Sequence, residues 1–534
     1  MLTPTRREVI RALALAPLSA AGACCLRRYP KAEIDPSSIR VADRNSILTP
    51  ARRLSRSAVD VIDTHAHFFN ASDVPVKGFV AECLGHKAPD WLRPLIEKIA
   101  PIADAVARLA PTAREELDSL RALSQSVASR SAIEGRRTVD DWFQREREAA
   151  AERVVKAVAG SDFERRYREM VRAPFRGQAG ISTEEVLTIA SEARSRKQRG
   201  LRPQSPEDVR ANAARAKLEF LIYMLSLRAA NLRTYIDAYA AEDDQYAVDM
   251  VLGSLVDFDY WLDCPPLSAH DDQIVLHKHL AELHGGFLRP VVAYNPWTDL
   301  EQNDAGRKRV LAAWACGEFV GAKIYPPTGF LPAANETTPI NSNKPHPDRK
   351  KLDGVLRKFF AMCADEGIPV LAHAARSNGR DDAHDEFSSP DAWKALMQSV
   401  SVDLKTPIIS LGHFGGDDLD TDWTAKFAQL MKHHSAIQVF GDLGYWDQLM
   451  CTDTAACTQT RDRLKTALAV PVAGAETVAD RVMFATDWLM LSQVTDWQTY
   501  PQRVREALDA IATAEDVVKI LGKNARRCFA RLPR

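Results

Sequence analysis

The chain has 534 residues, 46% of them hydrophobic, with a formal net charge of -1. It is too long for one compact domain without large insertions, and apolar enough for a real core. The balanced charge supplies no global field toward nucleic acid or anionic lipid, and beyond residue 30 no run is long and apolar enough to span a bilayer.

Residues 1–30 read as an export signal. Arg6-Arg7 precede an apolar stretch from Ala12 to Ala23, the layout of a twin-arginine address. Ala21-Gly22-Ala23-Cys24 is an imperfect lipoprotein cleavage site, which makes Cys24 a candidate lipid anchor. Arg27-Arg28 after the stretch count mildly against the signal. The expected location is the periplasm or its membrane face. Residues 31–57 are polar, broken by Pro36 and Pro50, and read as a linker.

The first strand is expected over Val59 to Asp63, within a segment 58–88. Residues 89–246 are rich in Ala, Arg and Glu and read as a helical insert. Its clearest helical stretches are Ala150 to Val158 and Ala211 to Ala240, with apolar residues recurring at three and four. It is too long for a loop, so it should cap the fold or mediate homo-oligomer contacts. From 247 to 534 strands and helices alternate. Strands are expected at 247–256, 287–294, 319–324, 368–373, 407–413, 436–440 and 482–486. Helices are expected at 270–283, 300–315, 348–365, 392–400, 423–433, 503–512 and 515–529. Eight strands alternating with helices predict an α/β fold, a distorted (β/α)8 TIM barrel with a large helical insertion after strand 1.

Four of the strands end on metal-type ligands: His65 and His67, His373, His413, and Asp487. Side chains alternate along a strand, so His65 and His67 project to one side. Two imidazoles can share a cation, and a further His and an Asp from other strands would complete its shell. A single strand-end histidine is as often a satisfied core residue. Their repetition at matching tips favours a shared site. His277, His279 and His284 fall on one helix, where solvated positions are the better reading. Nine cysteines follow no framework spacing. Cys451 and Cys457 are close enough to pair in an oxidising compartment, but scattered buried thiols are the favoured reading.

These residues resemble the amidohydrolase superfamily, in its amidohydrolase-related (amidohydrolase family 2) branch. The matching pieces are Asp63-Thr64-His65-Ala66-His67, Gly321-Ala322-Lys323-Ile324-Tyr325-Pro326-Pro327, Ala372-His373, Gly412-His413-Phe414-Gly415-Gly416, Thr486-Asp487-Trp488 and the tail Ile520 to Arg527. The insert is not covered. The resemblance implies that His65, His67, His373 and Asp487 bind one divalent metal ion, commonly zinc, and that His413 stands beside the activated water or the substrate. Asp487, helped by His413, would then be the catalytic proton acceptor for hydrolysis of a small-molecule amide, lactone or ester. Non-oxidative decarboxylation of an aromatic or unsaturated acid in the same site is the alternative. A non-catalytic binding scaffold is a further one, against which the intact ligand set argues.

Lys323 reads first as an inner-barrel electrostatic or substrate residue, and second as a carboxylated bridge between two metals. Arg376 could clamp a substrate carboxylate, or be a solvated loop arginine. Tyr325 and Trp488 follow strands and are expected to line the pocket. Leu489 stands where the family frequently has proline.

Overall fold

The computed structural model describes residues 60–84, 103–161, 164–165, 181–195, 206–240, 246–262, 264–340, 347–377, 379–399, 407–434, 437–451 and 454–532. The export-signal, Cys24 and linker readings lie outside them.

Eight parallel strands form the centre: β1 (Ile62–Ala66), β2 (Met250–Ser254), β3 (Leu288–Ala293), β4 (Ala322–Ile324), β5 (Val370–His373), β6 (Ile409–Gly412), β7 (Val439–Asp442) and β8 (Val482–Met483). They pair in chain order. The return from β8 to β1 is made just beyond the short last strand. Thr64 N–H donates to Phe484 O (3.1 Å) and Asp487 N–H donates to His65 O (2.7 Å). The result is a nearly closed parallel barrel with helices outside, the TIM-barrel architecture. Strands buried on both faces need apolar runs rather than alternation, which is why these segments are so continuously hydrophobic. Ile62, Leu252, Val291, Leu371, Phe440 and Met483 fill the lower barrel together with Phe529 from the C-terminal end. The strand tips are thereby left for polar groups.

Helices α1 (Ala113–Ala128), α2 (Ala132–Val158), α3 (Thr183–Ser195), α4 (Pro206–Met224) and α5 (Arg228–Tyr239) lie between β1 and β2. Thr112 with Glu115, and Ser131 with Glu134, make capping boxes that start α1 and α2. Part of this region buries its own apolar cluster, including Val154, Val186, Leu218 and Leu225. Leu232, Tyr235 and Tyr239 of α5 instead join the main core. The helix expected over 211–240 is interrupted at Leu225–Leu227. There the chain turns so that Arg228 can enter the interior. Arg228 is fully buried between Asp73 (2.5 Å) and Glu116 (3.0 Å), and also donates to Ser72 and Ser268. Removing one member of such a buried cluster typically costs about 3–5 kcal/mol, so it pins the insert to the segment following β1.

Other differences are local. The stretch expected as one helix over 300–315 splits into Pro296–Glu301 and Ala305–Ala315, with Asn303 and Asp304 at positive φ between them. A helix over Ala455–Leu468, started by the Thr454 side chain, was not expected from the sequence. Cys457 in its first turn forms a disulfide with Cys451 just before it, Cα–Cα 6.0 Å. This overturns the reading of these two as separate thiols. The histidines of α6 (His270–Leu283) and its C-terminal end are also not solvated as expected. His277, His279 and His284 are buried because α1 packs over this helix. His277 bridges Gln273 O (2.9 Å) and Phe68 O (3.1 Å), and His284 bonds Leu280 O (2.8 Å). Among the described residues no helix is long and apolar enough to cross a membrane.

Candidate metal centre

His65 stands in β1 and His67 just past its end. The β1–β2 register is irregular between Asp63 and Ala66, a local bulge of the kind that re-aims side chains. Asp63 meets Tyr235 of α5, whereas His65 meets Lys323 and His413. Asp487 follows β8, and its Oδ1 lies 3.3 Å from His67 Nε2 and 3.9 Å from His65 Nε2. His413, from the tip of β6, places Nε2 3.1 Å from Nδ1 of His373 at the tip of β5. Four strands thus bring the expected ligand residues to one end of the barrel. Gly412 is required for this approach. A Cβ there would stand 2.8 Å from His65 Cε1 and 2.9 Å from Ala372 O.

Hydrogen bonds select the free nitrogen of three imidazoles. His67 Nδ1 faces Ser254 O (2.8 Å) and His413 Nδ1 faces Gly444 O (2.9 Å). A carbonyl can only accept, so each Nδ1 carries the hydrogen and each Nε2 keeps its lone pair. His65 Nδ1 lies 3.2 Å from Asp442 Oδ2, with the same consequence. Asp442 also accepts from the backbone N–H groups of His413 (2.9 Å) and Gly444 (3.0 Å). The sequence reading missed Asp442 because it ended the seventh strand at residue 440. The available signal was an acidic residue at the tip of a buried strand, the same signal that marks Asp487.

The electrostatics suit ligand roles. Burial holds His65 and His373 well below the ordinary histidine range, reinforced by neighbouring positive groups, so both are neutral. Burial alone would raise Asp487. The imidazoles packed around it, His67 foremost, outweigh it, leaving the carboxylate below its ordinary value and ionised. Burial pushes Lys323 down to about 8, although Asp442 and Asp487 favour its charge. His413, Phe414, Tyr445 and Asp487 all have positive φ, between 43° and 67°. This left-handed conformation costs on the order of 1 kcal/mol for a non-glycine residue. Its clustering at these tips marks a functional end.

Does a metal ion fit these residues? Among the described residues, two groups converge closely enough for a cation: His65 with His67 and Asp487, and His65 with His413 and Asp442. His373 Nε2 is buried and has no hydrogen-bond partner, an arrangement that costs free energy unless something satisfies it. Imidazole nitrogens with one carboxylate oxygen are a donor set that suits zinc. The residues fit such an ion.

The other expected site residues divide. Lys323 is in the site, its Nζ 2.9 Å from His65 Nε2. The ring of Tyr325 is 4.9 Å from that of His373, and its hydroxyl bonds Ser377. Arg376 is not brought to the centre. It is 55% exposed and paired with Glu386 (2.8 Å). Trp488 is fully buried against Tyr223, Tyr235, Tyr239 and Trp497, so it packs the wall rather than lining a pocket. The Trp488–Leu489 peptide bond is cis.

Residues 281–531 match the family model described as Amidohydrolase. This stretch is a little under half of the chain. It contains β3 to β8, hence His373, His413 and Asp487. His65 and His67 precede it and are joined to the matched segment by the fold. No curated protein matches the chain. Among solved structures, an amidohydrolase from Burkholderia multivorans with bound zinc is 14% identical and covers 54% of this chain and 84% of its own, at a TM-score of 0.35. A Lactobacillus casei protein assigned as a metal-dependent hydrolase is 13% identical over 90% and 98%, at 0.38. Dihydroorotase from Campylobacter jejuni is 14% identical over 57% and 80%, at 0.33. At such scores the barrel rests on its own strand ladder rather than on these likenesses.

Proposed function

We propose that this protein is a metal-dependent hydrolase that uses water to cleave a small amide, lactone or ester. The observation that carries this is the convergence of His65, His67 and Asp487 at the strand tips, at the same end of the barrel as His373, whose buried Nε2 has no hydrogen-bond partner. These four residues would hold one divalent ion, with zinc the natural choice for the donor set. A bound cation would supply Lewis acidity, acidifying water and polarising a carbonyl.

The chain's own groups do the rest. Asp487, ionised at neutral pH, accepts the proton of the attacking water as the oxygen bonds to the carbonyl carbon. The same proton passes to the leaving nitrogen or oxygen as its bond to carbon breaks. His413, whose Nδ1 is tied to Gly444 O, holds Nε2 3.1 Å from His373 Nδ1 and so orients that imidazole. Lys323 places positive potential under the site, where negative charge develops on the carbonyl oxygen.

Export is part of the proposal. Its support is the Cys451–Cys457 pair, since disulfides persist in oxidising compartments, together with Arg6-Arg7 ahead of an apolar run.

The test is a panel of lactones, amides and esters assayed with metal-stripped and zinc-reloaded protein. The expected result is hydrolysis that chelation abolishes and zinc restores. Undiminished activity of the stripped protein, or release of carbon dioxide from an aromatic acid as the sole reaction, would overturn the reading.

A further inference from the structure

The hydroxyl of Tyr235, in the insert helix α5, donates to Asp63 Oδ2 at 2.6 Å. Both residues are fully buried. Thr486 Oγ1 donates to the same oxygen at 2.6 Å. The other carboxylate oxygen, Oδ1, accepts the backbone N–H groups of His65 and Thr486, each at 3.1 Å. Asp487 N–H in turn bonds His65 O at 2.7 Å. One carboxylate therefore fixes the backbone of His65 and the residue immediately before Asp487. These segments come from opposite ends of the barrel sequence. The Tyr235 ring also stands edge-to-face on Phe68, the residue after His67, at 5.5 Å.

From this geometry we infer that Tyr235 is a positioning residue for the metal centre, acting through Asp63 on His65 and Asp487. The inference rests on the metal reading above. It gives the insert a task that a cap or an oligomer surface would not require. Arg228, at the start of α5, anchors the helix to Asp73 and Glu116. Two turns on, the same helix delivers Tyr235. Removing the hydroxyl leaves a buried carboxylate oxygen with one donor fewer. A carboxylate so relaxed can shift, and the two ligand-bearing backbones shift with it. Partners that orient ligands in this way commonly change metal affinity by about 10–100-fold.

The experiment is zinc affinity, measured by chelator competition at fixed pH on the full chain. Tyr235→Phe is compared with Tyr239→Phe. Tyr239 lies one turn further along the helix and is equally buried, and its hydroxyl bonds Trp497 O at 2.7 Å without touching Asp63. The expected result is affinity weakened about 10-fold or more in Tyr235→Phe, unchanged in Tyr239→Phe, and a changed ligand-field spectrum for cobalt in Tyr235→Phe alone. Thr486→Val should repeat the loss and Thr486→Ser should restore it, which keeps the test alive if one variant folds poorly. Wild-type affinity in Tyr235→Phe, or equal loss in Tyr239→Phe, would overturn the inference. A wild-type chain that binds no zinc is a different outcome, and it would overturn the metal reading and the inference together.

Discussion

The Nζ of Lys323 lies 2.9 Å from Nε2 of His65, at the base of the strand-tip cluster and with 1% of the lysine exposed. An ammonium so placed is costly to fold, and burial has already pushed it down to about 8. A protein keeps such a charge for what it does at the site.

Replacing it should therefore separate stability from activity. Lys323→Met keeps similar volume and removes the buried charge. The metal-free variant should gain about 1–3 kcal/mol in denaturant unfolding at pH 7. On a confirmed substrate it should lose turnover by about 10²-fold, the scale of one lost electrostatic donor. A variant that is both less stable and fully active would contradict the role.

Part of the acid sensitivity should come from α6 and its end, beside that of the buried His65 and His373. Burial lowers His277 and His284 from 6.5 to about 4. Between those values the unfolded chain binds a proton that the folded chain refuses. Stability contributed by each histidine is thus fully present above about 6.5 and is lost as the pH falls toward 4. At pH 5 the loss should be about 2 kcal/mol per histidine relative to pH 7.5. Unfolding of metal-free protein at the two values checks this. A variant with both residues replaced by Gln should show a correspondingly smaller drop. An equal drop would assign the effect to other groups.

The disulfide gives a chemical readout of compartment. Seven of the nine cysteines of the full chain should alkylate under denaturing, non-reducing conditions, and all nine after reduction. The bridge closes a short loop, so Cys451→Ser should cost only about 2 kcal/mol in oxidised protein. Reactive Cys451 and Cys457 thiols, mapped by peptide, in unreduced protein recovered from the periplasm would contradict the pairing.

Local rules made the barrel and its candidate ligands legible. A buried run that stops on a histidine or an aspartate shows in the sequence, and His65-Ala66-His67 carries its geometry in its spacing. What stayed hidden depends on partners far away in the chain. Nothing near His277 announces that α1 will cover it. Arg228 has no local sign of Asp73 or Glu116, and Tyr235 none of Asp63. Asp442 was hidden differently, because the expected seventh strand ended two residues short of it. Arg376 shows the converse: a residue type suited to a carboxylate clamp, close in sequence to His373, whose loop carries it outward to Glu386.

The central claim is a metal ion held by His65, His67, His373 and Asp487. The most direct measurement is elemental analysis of protein purified without chelator, wild type beside the double variant His65→Ala, His67→Ala and beside Asp487→Asn. The account predicts one divalent ion per wild-type chain, close to none in the double variant, and weakened retention in Asp487→Asn, with all three chains folded. Stoichiometric metal surviving the loss of both histidines would contradict it.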